Sequence, residues 1–246
     1  MISPQKIHEL AVREQTTDVN IAREYLQHLF LSYFYKKEDS DKFLFKGGTA
    51  LRLAFGSPRY SEDLDFSVTN LSKDRIERLL LDTFASLEAE GIQKKMEIID
   101  AEPTSGGYIA NISLDILGFT TGIKSNIQIK NDPADLESEA ILIENAPFIP
   151  SYSMVCLSRR LIVKEKVQAL ISRYKPRDFF DLYFMSRKDS LKDFIPRDET
   201  TKEGIRKVLG EVSDGSLEND LKPFLPISFH AIIKNLKTNI KDIMSL

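Results

Sequence analysis

Residues 43–68 read FLFKGGTALRLAFGSPRYSEDLDFSV, and the order of elements in this stretch decides the fold. Two aromatics within Phe43–Lys46 predict a short strand. Gly47 and Gly48 follow; lacking Cβ atoms, they allow a sharp turn and let a bulky group approach the backbone amides. Thr49 is expected to cap a helix over ALRLAF, whose first turn would offer unpaired N–H groups to an anion. A second strand then carries Asp63 and Asp65 on one face and Leu64 and Phe66 on the other, because side chains alternate with period two.

Two carboxylates on one face repel each other by about 3 kcal/mol at roughly 6 Å and an effective dielectric near 20. A divalent cation reverses that sign, and hard oxygen ligands suit Mg²⁺, which takes one or two carboxylates and completes its shell with water and substrate phosphates. The bland alternative is a pair of aspartates in a solvated turn. A glycine turn facing a carboxylate pair that holds a metal is the chemistry of nucleotidyl transfer. In that reading Asp63 and Asp65 are the metal ligands and Gly47, Gly48, Thr49 and Ser61 line the phosphates, and this stretch alone leaves both readings open.

Working outward, Ser3-Pro4 and Thr17-Asp18 mark the starts of two helices, the second carrying Ile21, Tyr25, Leu29 and Phe30 as a packing stripe. Downstream of the aspartates, Lys73 to Glu90 reads as an amphipathic helix. Lys95–Ala101, Tyr108–Leu117 and Asn126–Lys130 read as strands of a mixed sheet. A proline-bearing loop with Pro133, Pro147 and Pro150 then leads into a helical half. The expected division is an α/β domain over 1–150 and a helical domain over 151–246 that completes the active-site cleft.

The second informative stretch runs from Leu157 to Met185, LSRRLIVKEKVQALISRYKPRDFFDLYFM. Lys166 and Arg173 stand seven apart and share a helix face, and Pro176 suits the first turn of the next helix. Asp178 and Asp181, three apart, share a side of that helix. From Arg159 to Lys188 there are nine Lys/Arg against three acids. Taken alone, such a run is a solvated face; beside the glycine/Asp-x-Asp stretch it supplies cations for a triphosphate, lysine as a point charge and arginine as a fork.

These motifs together resemble the nucleotidyltransferase toxins of the AbiEii/AbiGii family, also called MenT-type. The resemblance rests on GGT, Arg59 and SEDLDF in the first half. In the second half it rests on Glu165-Lys166, Ala169-Leu170, Arg173, Pro176-Arg177-Asp178 and Asp181-Leu182. It implies a nucleotidyltransferase-like mixed β-sheet core with flanking helices plus a helical C-terminal domain. It also implies catalytic roles for Asp63, Asp65, Lys166 and Asp178, and nucleotide binding by Lys166 and Arg173 with the glycine turn. Mg²⁺ or Mn²⁺ would be the cofactor, an NTP the donor, and RNA, in particular the tRNA 3′ end, the acceptor. The family's setting in toxin–antitoxin and phage-defence operons implies an antitoxin or regulator encoded alongside. Relatives add a third carboxylate, often a Glu where this chain has Gln128; Asp115, Asp132 and Asp178 are the candidates to replace it. Transfer to a small molecule or a protein hydroxyl, and nucleotide binding without turnover, are the rival readings.

Bulk properties narrow the setting. The net charge is −3 over 246 residues, so any contact with nucleic acid must come from a local basic patch. A single cysteine, Cys156, fits a reducing cytoplasm, and MISPQKIHEL lacks the features of a signal peptide. No apolar run reaches the length of a membrane span. The three histidines are scattered, with no zinc spacing.

Overall fold

A computed structural model describes residues 2–89, 98–99, 103–104, 107–116, 119–130, 136–144, 146–147 and 149–246. Helices α1 (Pro4–Arg13) and α2 (Asp18–Phe34) begin where their caps predict: the Ser3 hydroxyl accepts from the Lys6 N–H and the Thr17 hydroxyl from the Asn20 N–H. Strand β1 (Phe43–Lys46), helix α3 (Gly47–Phe55), strand β2 (Asp63–Val68) and helix α4 (Lys73–Ala89) follow. The remaining strands are β3 (Ile98–Ile99), β4 (Pro103–Thr104), β5 (Gly107–Ile116), β6 (Phe119–Ile129), β7 (Ser138–Ile143) and β8 (Tyr152–Leu157).

All eight join one mixed sheet in the order β3-β5-β6-β2-β1-β8-β7, with β4 on β5. β1 and β2 are antiparallel, whereas β2–β6 and β1–β8 are parallel. The two strands of the opening stretch therefore occupy the middle of the sheet, with neighbours on both sides.

One face of β1 and β2 is aromatic. Phe43, Phe45 and Phe66 are fully buried; Phe43 and Phe66 meet Phe34 of α2, with Phe34–Phe43 centroids 5.0 Å apart, and Phe45 meets Phe66 at 5.3 Å. Burying each such side chain contributes roughly 1.5–3 kcal/mol. Leu64 is likewise fully buried, while Asp63 and Asp65 are half-buried. The alternation fixes the register: a one-residue slip would send the phenylalanines to the polar face and the aspartates into the core.

The chain separates into two compact units, Met1–Gly56 with Tyr60–Leu157 and Ser57–Arg59 with Ser158–Leu246. The sheet unit extends past residue 150 because Tyr152–Leu157 is strand β8, paired to β7 along its length and to β1 at Cys156. The second unit is helical: α5 (Arg159–Arg173), α6 (Pro176–Arg187), α7 (Glu199–Glu211), α8 (Asp214–Leu221), α9 (His230–Lys234) and α10 (Leu236–Met244). Its core gathers Val167, Leu170, Phe179, Leu182, Met185, Ile205, Leu236 and Ile240. Among the described residues, no helix is long and apolar enough to cross a membrane.

Candidate active site

The sheet unit holds the first cluster. Gly47 has φ +83°, and a Cβ there would stand 2.1 Å from Asp65 Oδ2. Glycine is required twice over, by the backbone conformation and by the carboxylate that fills the space of a side chain. This conformation turns β1 directly into α3, so the helix begins at Gly47 with Lys46 as its N-cap residue, three positions before the expected cap Thr49. Thr49 is therefore inside the helix, fully buried, and its hydroxyl donates to the Asp63 carbonyl instead of capping. That bond ties the first turn of α3 to the start of β2. Gly48 is also buried. Ser61 is half-buried, and its carbonyl accepts from Gln27 Nε2 at 2.9 Å, which pins the approach to β2 against α2.

Asp65 is oriented from its other side. It pairs with Asn126 of β6 in the sheet register, and Asn126 Nδ2 donates to Asp65 Oδ1 at 2.8 Å. On the opposite strand its register partner is Lys46, a buried lysine whose Nζ donates to Gln128 Oε1 at 2.8 Å. Lys46 carries no distinctive sequence signal; only the register brings it beside Asp65.

The residues present fit a divalent cation. Asp63 and Asp65 offer oxygen ligands on one face, and the Asn126 bond is the kind of second-layer contact that orients a ligating carboxylate. Among the described residues, no three His, Cys, Asp or Glu side chains gather into a larger metal-holding group. Asp132 lies outside the described residues. Asp115 is on β5, four residues along from Asn111, the position that reaches Asp63 through Lys124. Strand geometry then puts its backbone about 16 Å from that of Asp63, beyond the reach of a shared ion.

The helical unit holds the second cluster, a line of five alternating charges. Arg59 Nε and Nη2 donate to the two oxygens of Asp181 at 2.8 and 2.9 Å. Lys166 Nζ lies 2.7 Å from Asp181 Oδ2 and 3.8 Å from Asp178 Oδ1. Arg173 Nε and Nη2 donate to both oxygens of Asp178 at 2.7 and 2.8 Å. In this line three cations face two anions. Asp181 is wholly buried; burial would raise its pKa, but Arg59 and Lys166 outweigh that and hold it at about 2.

Both oxygens of Asp178 accept from Arg173, and Lys166 Nζ stands beside the same carboxylate. Lys166 is only 10% exposed along its side chain, whereas Lys164, two residues earlier on α5, is exposed. Asp181 and Arg59 stand among the motif residues of the sequence but were given no site role there. Asp181 had a signal in its spacing from Asp178, but Arg59 had none that could foretell a partner 122 residues away.

The sequence profile of the nucleotidyl transferase AbiEii toxins, type IV toxin–antitoxin system, matches residues 29–236. No curated protein matches the chain by sequence. Among solved structures it is similar to MenT4, a nucleotidyltransferase toxin from Mycobacterium tuberculosis, with 18% identity and a TM-score of 0.60 over 100% of this chain and 91% of that one. It is also similar to JHP933 from Helicobacter pylori, with 18% identity and a TM-score of 0.59 over 94% of each chain. At that identity the two structures speak for the fold, and the profile, which spans most of the chain, speaks for the family. With the glycine turn set against Asp65 and the Lys166 cluster both inside the matched span, the chain belongs to the AbiEii family of nucleotidyltransferase toxins.

Proposed function

We propose that the protein transfers NMP from an NTP to an RNA acceptor, the 3′ end of tRNA, in a reaction dependent on Mg²⁺, for which Mn²⁺ can substitute. The observation that carries this reading is the contact of Gly47 with the Asp65 carboxylate at the junction of β1 and α3. Asp63 and Asp65 hold the metal, which when bound supplies charge stabilisation at the phosphoryl group under attack. Gly47 gives the Asp65 carboxylate the room it fills at the α3 entrance, Gly48 brings no side chain to the phosphate oxygens, and Ser61 lines the same approach. Lys166 and Arg173 neutralise triphosphate charge, with Asp178 and Asp181 holding them at fixed positions. The acceptor hydroxyl oxygen bonds to the α-phosphorus and gives up its proton to solvent, and the bond to pyrophosphate breaks.

For the acceptor, the exposed side of α5 and its C-terminal end support RNA. Arg160, Lys164 and Lys175 are exposed there, and Tyr174 beside them is 39% exposed. A basic stripe with an aromatic ring is suited to phosphates and a stacked base. Arg159, by contrast, is half-buried and does not belong to that stripe.

Incubation with each α-labelled NTP, Mg²⁺ and total RNA, resolved on one gel, tests the reading. Label at tRNA size supports it. Label at protein mass or in a small product supports the other acceptors. For the toxin setting, expression is expected to slow bacterial growth, and co-expression of the neighbouring antitoxin to restore it. Unimpaired growth with abundant active protein would remove the toxin role and leave the transferase.

A further inference from the structure

Helix α2 covers the aromatic face of the sheet, where Phe34 packs on Phe43 and Phe66. Two turns earlier on the same side of the helix stands Gln27, 2% exposed. Its Nε2 donates to two successive carbonyls, that of Ser61 at 2.9 Å and that of Glu62 at 3.2 Å. Carbonyls only accept, so it is the NH₂ end of the amide that faces them, with one hydrogen for each. Arg23, one turn before Gln27, adds an ion pair from Nη2 to Glu62 Oε1 at 3.3 Å. The helix thus holds Glu62 by side chain and backbone together.

In a strand, successive carbonyls point to opposite edges. Here two converge on one nitrogen, so strand geometry starts only at Asp63, the first residue of β2. The Asp63 carbonyl in turn accepts from Thr49 Oγ1 of α3. The carbonyls of Ser61, Glu62 and Asp63 are therefore all held, the first two from α2 and the third from α3. Fixing the backbone on both sides of Asp63 leaves its carboxylate only its own side-chain torsions, which settle in a few staggered wells. Gln27 acts from behind, on the face that α2 covers, while Asp63 and Asp65 project from the other face.

We infer that Gln27 is a positioning residue of the transferase site: it sets where β2 begins, so that Asp63 stands beside Asp65 as a joint ligand of the divalent cation and Ser61 keeps its place at the phosphate approach. This rests on the reading of Asp63 and Asp65 as metal ligands, and the test separates the two.

Gln27→Met keeps the length of the side chain and removes both donors. Mn²⁺ affinity is read from the loss of the free-ion EPR signal, and transfer rate is measured against Mg²⁺ concentration, at a temperature where every variant is folded. Gln27→Met is expected to weaken Mn²⁺ about tenfold and to raise the Mg²⁺ needed for half-maximal rate by a similar factor, with a smaller loss of kcat at saturating Mg²⁺. Gln27→Asn draws the amide back by one carbon and gives the same readout in a variant that stays polar at this position. Leu26→Val trims the fully buried neighbour on α2 and is expected to lower Tm with the metal constants unchanged. Wild-type metal constants in both Gln27 variants, or an equal weakening in Leu26→Val, would overturn the inference. Asp63→Asn reports on the underlying reading. If it binds Mn²⁺ as the wild type does, the aspartate pair is not the metal site; if it loses Mn²⁺ while the Gln27 variants keep it, the positioning role alone is overturned.

Discussion

Arg59 and Asp181 stand 122 residues apart in the chain and form a two-pronged ion pair in which both side chains are almost wholly buried. Lys166 shares the same carboxylate, so Asp181 is the hinge of the charged line. Removing one partner of a buried pair leaves an uncompensated charge, at a cost of about 3–5 kcal/mol. Arg59→Met and Asp181→Asn are expected to fall in that range in urea unfolding. Losses below 1 kcal/mol in both would show that the pair carries no structural weight.

Two buried groups give stability an acid-side dependence in separate windows. His28 donates or accepts at Tyr152 Oη, 2.9 Å away, and burial foremost lowers its pKa to about 4. A base with a depressed folded pKa stabilises the fold above its unfolded pKa near 6.5, and that contribution is lost as pH falls through 4, about 3 kcal/mol in all. Asp181, held at about 2, contributes above its unfolded value near 4 and loses about 2 kcal/mol as pH falls through 2. Urea midpoints measured from pH 7 to 2 are expected to decline in both windows. His28→Gln should flatten the upper window alone, and Asp181→Asn the lower.

Gly47→Ala joins backbone strain to a collision with Asp65 Oδ2. The left-handed conformation costs an alanine about 1–2 kcal/mol, and the Asp65 carboxylate must also move. Turnover is expected to fall more than a hundredfold, against a Tm loss of a few degrees. Gly210→Ala is the control: its added Cβ meets nothing within 4 Å, and activity should be kept.

Local pattern made much of this legible in the sequence. Period-two alternation alone placed Asp63 and Asp65 opposite Leu64 and Phe66, and cap residues placed the starts of α1 and α2. Thr49 was misjudged because a glycine with positive φ can open a helix with no loop, so the cap position shifts to Lys46. β7 and β8 went unseen because their short alternations sit among prolines, and pairing with distant β1 decides them. Lys46 was out of reach for the same reason, and Arg59, though a motif residue, gave no sign of its partner. Each is a single basic residue whose meaning comes from partners 82 and 122 positions away.

The exposed stripe on α5 is expected to act on RNA and leave the nucleotide alone. Lys164→Glu with Lys175→Glu should weaken tRNA binding and reduce the slope of log K against log salt by about one to two, since each lost phosphate contact removes roughly one released counterion. NTP binding should change less than twofold. An unaltered salt slope would point to an acceptor other than RNA.

The most direct measurement is initial-rate transfer of α-labelled NMP by the wild type, Asp63→Asn, Lys166→Ala and Lys164→Ala, each checked for a native circular dichroism spectrum. Buried Lys166, held by Asp178 and Asp181, and exposed Lys164 share one helix and differ in what surrounds them. The expected result is no detectable product from Asp63→Asn, a loss of at least a hundredfold from Lys166→Ala, and near wild-type rates from Lys164→Ala. Undiminished product from Asp63→Asn at saturating Mg²⁺, or an active Lys166→Ala beside an inactive Lys164→Ala, would contradict it.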